Sequence, residues 1–261
     1  MKKTLIDIIP FELPREVLKI ISGYPIYDSS SSPEARVYYI ARGDGLYLKI
    51  SGVGTLRAEA RMSEYFSSLG LGVAPIAYHS GEMDYLLTPS LEGEDLTARC
   101  YLDEPKRLAE LIGTELRRLH EMDFRDCPNR DRLNDYIATV ERNYRSGEYD
   151  KSQFPDSFGY KSAEEAYAVF SDGRSLLRAD TLIHGDYCLP NILASDWRLS
   201  GFIDVGFGGV ADRHIDLFWG AWTLGFNLGT DEYRERFFDA YGKDRIDPDI
   251  IRVVAAAEVF G

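Results

Sequence analysis

The apolar pattern changes period near residue 90, and that change limits the chain to folds that keep sheet and helix apart. Before it, Val37 to Ile50 (VYYIARGDGLYLKI) reads as a hairpin, with two runs rich in Val, Ile and Tyr around the turn signal Arg42-Gly43-Asp44-Gly45. Short apolar runs at Val73 to Tyr78 and Tyr85 to Thr88 read as further strands. One helix lies among them. Met62, Tyr65, Phe66 and Leu69 recur at helical spacing from Glu59 onward, until Gly70 and Gly72 stop it.

After Pro89 to Asp95 (PSLEGED) the spacing becomes helical. Arg107 to His120 carries Leu108, Leu111, Ile112, Leu116 and Leu119 on one face. Helical segments follow at Leu133 to Tyr144, at Ser162 to Phe170, and from about Asp216 onward. Between the first two, Gly147 to Lys161 is polar and reads as a loop. The apolar tail Val253 to Phe260 is expected to be packed. The expected fold is α+β, with a small strand-rich lobe over residues 1–91 and a larger, mainly helical lobe over 92–261.

Of the 261 residues, 44% are hydrophobic and 28% charged, an ordinary balance that argues against disorder. The net charge of -13 is more selective: it disfavours nucleic acid and anionic membranes as partners and favours cationic ones. Cys100, Cys127 and Cys188 form no CxxC pair, so neither a disulfide framework nor a zinc site is expected, and a reducing cytoplasm fits. The apolar run in MKKTLIDIIPFELP is broken by Asp7, Pro10 and Glu12, a poor secretory signal. No apolar run approaches the length that spans a bilayer.

Chemistry concentrates in two segments, His184-Gly185-Asp186-Tyr187-Cys188-Leu189-Pro190-Asn191 and Gly201-Phe202-Ile203-Asp204-Val205-Gly206, each led by a short apolar run. Phosphoryl transfer needs a group to orient or deprotonate the attacking hydroxyl, metals to hold the phosphates, and positive charge on the transferring group. Asp186 suits the first task. Asn191 and Asp204 suit the second as oxygen ligands for Mg²⁺, a hard ion. Either segment alone also reads as a turn with a capping aspartate; both together, in this order and spacing, point to transfer. Lys49, at the end of the strand Leu46-Tyr47-Leu48-Lys49, suits the phosphates if a helix-borne carboxylate holds it. Glu59 and Glu64 both compete for that place, and by itself Lys49 reads as an edge-strand charge.

The segments LIHGDYCLPNIL and SGFIDVGFGGVADRHIDL closely resemble those of the aminoglycoside 3′-phosphotransferases, the kanamycin and neomycin kinases. The resemblance runs nearly end to end, through LYLKI, EARMSEYF, LRRLHEMDFRDCP, GEYDKSQFPDSFGYKSAEEAYAVF and the ending AAAEVFG. It implies a protein-kinase-like two-lobed fold, an antiparallel-sheet N-lobe with one main helix, nucleotide bound in the cleft, and a helical insertion over about 136–177. It implies transfer of the γ-phosphate of Mg²⁺-bound ATP or GTP to an aminoglycoside 3′-hydroxyl. It assigns Asp186 as catalytic residue, Asn191 and Asp204 as metal ligands, and Lys49 with Glu59 as the phosphate lysine and its partner. Tyr47 matches an aromatic that stacks on the purine, the serine run ending at Ser32 a nucleotide-positioning loop, and the backbone from Thr88 to Leu91 the contact to the base edge. His184 and Asp216 match supports of the catalytic loop, although His184 reads equally as a buried structural histidine.

The cationic acceptor calls for carboxylates, and here the resemblance thins. Asp150 and Asp156 remain in a family loop that is otherwise densely acidic, now interrupted by Lys151, Ser152, Gln153, Pro155 and Ser157. A turn at Gly225 to Thr230 replaces a charged stretch. Ala257 stands where an aspartate is usual, Glu258 remains, and Gly261 displaces by one residue the terminal carboxylate that normally follows Phe260 directly. Phe207 replaces an arginine that commonly follows the metal aspartate by three. Asp150, Asp156, Glu258 and Phe260 are the expected acceptor contacts, in a cytoplasmic monomer or weak dimer. Two other readings stay open: a kinase of another small hydroxylated amine or sugar, as in the choline and fructosamine kinase relatives, and a non-catalytic nucleotide-binding module.

Overall fold

A computed structural model describes residues 3–30, 35–149 and 159–261. The chain runs through β1 (Thr4–Ile6), α1 (Arg15–Ile21), β2 (Ile26–Asp28), β3 (Ala35–Ile40), β4 (Leu46–Gly52), α2 (Arg57–Ser68), β5 (Ala77–Ser80), β6 (Met83–Pro89) and β7 (Glu94–Asp95). Then come α3 (Arg99–Leu102), α4 (Pro105–His120), α5 (Arg132–Ser146), α6 (Ala163–Gly173), β8 (Thr181–Ile183), β9 (Ile192–Ser195), β10 (Arg198–Phe202) and β11 (Gly209–Ala211). Helices α7 (His214–Leu228), α8 (Arg234–Tyr241) and α9 (Pro248–Ala257) follow.

The residues cluster into two compact units, Met1–Asp95 with Asn191–Gly206, and Leu96–Pro190 with Phe207–Gly261. Residues 191–206 therefore join the first unit, whereas the sequence division at 91/92 assigned them to the second lobe. Phe202 N–H donates to the Leu71 carbonyl at 2.8 Å and Asp204 meets Lys49, which ties the segment to the first unit; β7 pairs antiparallel with β9, and β9 with β10, so 94–95 goes with it.

In the first unit, six strands form an antiparallel sheet in the order β1-β2-β3-β4-β6-β5. The expected hairpin is β3–β4, and its turn needs glycine: Gly43 and Gly45 have φ of +57° and +105°, and a Cβ on Gly45 would lie 2.6 Å from the Tyr39 ring. Alternation along β4 buries Leu46, Leu48 and Ile50 in a core with Tyr38, Ile40 and Leu87. Successive side chains on a strand point to opposite faces, so Tyr47 and Lys49 share the other one. The strand expected from Val73 starts only at Ala77. Pro75 lies in the excluded part, and proline has no N–H for a ladder.

In the second unit, the apolar face of α4 buries Leu108, Ile112, Leu116 and Leu119. A separate core joins α5, α6, α7 and α9 through Tyr136, Val140, Phe170, Ile215, Val254 and Phe260. The apolar tail is packed as expected. The region expected as a helical insertion holds α5 and α6 with 150–158 between them, and those residues lie outside the described ones. The turn expected at Gly225 to Thr230 is shorter than that: α7 continues to Leu228 and is capped by Gly229 in the left-handed conformation, with φ +67°.

Candidate active site

The first unit carries a cavity lined by Ser29, Val37, Tyr47, Lys49, Leu86 and Leu91 among others. Sheet register explains the lining. Lys49 stands opposite Val37 on β3 and Leu86 on β6, so three neighbouring strands present one face to the cavity. Tyr47 packs 5.3 Å from the Tyr39 ring. Pro89 has no N–H, and Ser90 N–H donates to the Gly45 carbonyl at 2.9 Å. Leu91 is therefore the next backbone donor along this edge. Ser32 lies outside the described residues.

Lys49 Nζ donates to Glu59 Oε2 at 2.8 Å and also to Asp204 Oδ1. Glu59, not Glu64, is thus the partner; it sits in the first turn of α2. Burial opposes the charge on Lys49, but the two carboxylates more than offset it and hold its pKa above the ordinary lysine value. Burial pushes the Glu59 carboxyl up, and Lys49 acts against that rise. Asp204 has a φ of +57°, a conformation that non-glycine residues rarely adopt and that tends to occur at functional sites. Ile203 N–H donates to the Asn191 carbonyl at 3.0 Å, which brings Asn191 beside Asp204 although thirteen positions separate them in the chain. Among the described residues no group of three or more His, Cys, Asp and Glu side chains converges, so these two donors do not form a closed protein cage for a metal.

The second unit holds Asp186 on the loop after β8. Asp216, fully buried on α7, fixes that loop: its carboxylate accepts His184 N–H at 2.7 Å and Gly185 N–H at 2.8 Å. It also meets His120 Nε2 at 3.1 Å. A carboxylate only accepts, so Nε2 carries the proton and Nδ1 accepts from the Tyr241 hydroxyl at 2.9 Å. Burial lowers the His120 pKa and keeps the ring neutral. His184 is completely buried and its Nδ1 accepts Asp186 N–H at 3.2 Å, a structural role. Gly185 has a φ of +85°, and a Cβ there would lie 2.0 Å from the Phe207 carbonyl oxygen. Cys188 is held protonated by burial and by Asp186.

Asp186 opens on a cavity of about 270 Å³, lined also by Arg132, Tyr136, Phe207, Trp219, Glu258 and Gly261. Glu258 Oε1 accepts from the Tyr136 hydroxyl at 2.7 Å. Burial raises the Glu258 carboxyl to about 7, against the opposing effects of Tyr136, Arg132 and Trp219. Phe260 does not line this cavity. It is fully buried against Tyr144, Tyr149 and Tyr167, and Gly261 takes its place on the wall. Asp150 and Asp156 lie outside the described residues. Sequence reasoning passed over Arg132, Tyr136, Trp219 and His120. Each sits on a helix where spacing alone marks it as an ordinary amphipathic position.

Residues 30–253 match a model of the phosphotransferase enzyme family. A probable aminoglycoside 3′-phosphotransferase of Lactococcus lactis subsp. lactis (strain IL1403) is 48% identical, over 100% of this chain and 99% of that protein. An aminoglycoside 3′-phosphotransferase of Niallia circulans is 31% identical, over 86% of this chain and 87% of its own length. Among solved structures, an aminoglycoside-3′-phosphotransferase of type VIII superimposes with a TM-score of 0.79 at 23% identity, covering 95% of this chain and 97% of that one, a likeness of fold. The aminoglycoside phosphotransferase APH(3'')-Id from Streptomyces rimosus ATCC10970, solved with ADP and streptomycin, gives 0.73 at 25% identity, over 86% of this chain and 90% of its own.

Proposed function

This chain belongs to the phosphotransferase enzyme family, among the aminoglycoside 3′-phosphotransferases, and from that premise we propose that it moves the γ-phosphoryl group of a nucleoside triphosphate onto the 3′-hydroxyl of an aminoglycoside antibiotic and so confers resistance. The observation that carries this reading is the pairing of Asp186 with Glu258 on the wall of one small cavity. One carboxylate suits a hydroxyl and the other an ammonium group, and an aminoglycoside bears both.

Asp186 aligns the acceptor hydroxyl and takes up its proton. Its loop is held by Asp216 before substrate arrives, so orientation is settled in advance. Lys49, kept charged and aimed by Glu59, holds the triphosphate oxygens, and Tyr47 stacks on the purine. Either ATP or GTP suits this arrangement. Asn191 and Asp204 would hold Mg²⁺, a hard ion that suits their oxygen donors. Bound there, the ion would supply positive charge against the phosphates. Glu258 receives an ammonium group of the acceptor. Nucleoside triphosphate is a cytoplasmic metabolite, and among the described residues no helix is long and apolar enough to cross a membrane. The reading places the protein in the cytoplasm, as a monomer or weak dimer.

The test is nucleotide turnover coupled to kanamycin, run separately with ATP and GTP. The expected result is acceptor-dependent turnover, with the phosphate mapped to the 3′-oxygen. Absence of turnover with kanamycin, neomycin, paromomycin, ribostamycin and butirosin alike would overturn the acceptor assignment and favour another small hydroxylated amine.

A further inference from the structure

A site for a polycation should be lined by carboxylates, yet the cavity beside Asp186 has a guanidinium in its wall. Arg132 is half-buried at the start of α5. Its Nε donates to the Phe207 carbonyl at 2.7 Å, and its guanidinium carbon lies 5.5 Å from the Phe207 ring centre and 5.7 Å from that of Tyr136. These contacts fix its direction; burial disfavours its charge, and the carboxylates of Glu258, Asp135 and Asp216 oppose that only from beyond ion-pair distance. Among the described residues no carboxylate lies within salt-bridge distance of Arg132, and its two terminal nitrogens have no hydrogen-bond partner. A half-buried cation left unpaired opposes folding, and a bound anion would offset that cost.

We propose that Arg132 is the cation that receives the transferred phosphoryl group. This deepens the phosphotransferase reading and rests on it. The acceptor hydroxyl oxygen forms the new bond to the γ-phosphorus, and its proton passes to Asp186. The bond from that phosphorus to the β,γ-bridging oxygen breaks, and the electron pair leaves with the nucleoside diphosphate. The anion that enters the cavity beside Asp186 is therefore the phosphoryl group itself. Arg132 and Asp186 line the same cavity of about 270 Å³, so a phosphate on a hydroxyl held by Asp186 enters the cavity whose wall carries the guanidinium. A guanidinium presents two parallel donors that match two phosphate oxygens. Arg132 thereby supplies the positive charge that transfer requires and that neither Asp186 nor Glu258 can give. It does so from a different helix than the position, now Phe207, where the family resemblance leads one to look for an arginine.

The test uses the full-length enzyme with Arg132→Gln and Arg132→Lys, and kanamycin phosphate prepared with the wild-type protein. Arg132→Gln is expected to lower kcat by about 10²-fold or more, the size of effect of one preorganised donor at a developing charge. It should weaken binding of kanamycin phosphate at least tenfold while unmodified kanamycin binds equally or more tightly. Arg132→Lys keeps the charge and should retain part of both effects. Equal loss of affinity for kanamycin and its phosphate would assign Arg132 to holding the Phe207 loop and overturn the proposal. Unchanged affinity for the phosphate would overturn it as well. If the wild-type protein transfers nothing to kanamycin, neomycin, paromomycin, ribostamycin or butirosin, the acceptor reading fails instead. Acceptor-independent triphosphate hydrolysis then decides: a drop in both variants, larger for Gln, supports Arg132, and rates equal to wild type reject it.

Discussion

The carboxylate of Asp216 accepts the backbone N–H of Gly185, at 2.8 Å, inside a fully buried environment. The same side chain serves His184 N–H and His120, so one residue satisfies three buried donors that converge on the loop carrying Asp186. Asp216→Ala leaves all three without an acceptor, and each unmet buried donor costs about 1–3 kcal/mol. The expected outcome is a loss on the order of 3 kcal/mol or more in denaturant unfolding, with activity lost in the folded fraction. Asp216→Asn keeps one acceptor oxygen and should fall between the two.

Asp186→Ala should lower acceptor-dependent turnover by roughly 10²–10⁴-fold, about 3–5 kcal/mol of barrier, because a positioned general base contributes that much. Nucleotide affinity should change little, since Asp186 lines the second-unit cavity and Lys49, the residue proposed to hold the triphosphate, lines the first-unit cavity. Steady-state kinetics beside a nucleotide titration separates the two effects. Near-normal turnover would remove Asp186 from the reaction.

Lys49→Ala removes the donor that Glu59 and Asp204 share and leaves two carboxylates facing the triphosphate. Loss of a charge-assisted hydrogen bond is worth about 1.5–3 kcal/mol, so the nucleotide should bind roughly 10- to 100-fold more weakly. Kanamycin affinity, measured without nucleotide, should stay at the wild-type level. A parallel loss of both would mean that Lys49 supports the fold and not a ligand.

Glu258 gives a pH dependence with a defined sign. Burial lifts its carboxyl from about 4.5 to about 7. Between those values the folded protein keeps a proton that the unfolded chain has released. Stability from this group is therefore full below about pH 4.5 and is lost as pH rises through about 7. Glu258→Gln should unfold at a higher temperature than wild type at pH 8 and converge with it near pH 4.5. Acceptor affinity should move the other way, because an ammonium group prefers the ionised carboxylate. In the wild type it should fall as pH drops below about 7, and in Glu258→Gln that step should vanish. Calorimetric titration across pH 6 to 8 reads it directly.

Local sequence determined where the candidate residues stand on their own elements. A strand alternates its faces, so with Leu46, Leu48 and Ile50 packed inward, Tyr47 and Lys49 share the other side. Asp186, Asn191 and Asp204 stood out as candidates because short motifs carry both the residue type and the turn that presents it. Tertiary structure decided what spacing cannot encode. Glu59 rather than Glu64 meets Lys49 because of how α2 sits on the sheet, and 191–206 joins the first unit because Phe202 bonds to Leu71 and Asp204 to Lys49. Phe260 turns into an aromatic core and leaves the cavity wall to Gly261. His120 meets Asp216 across ninety-six positions, and Tyr136 meets Glu258 across one hundred and twenty-two. Such partners carry no local period, because each follows its own helix's amphipathic pattern and the function arises only where two helices pack.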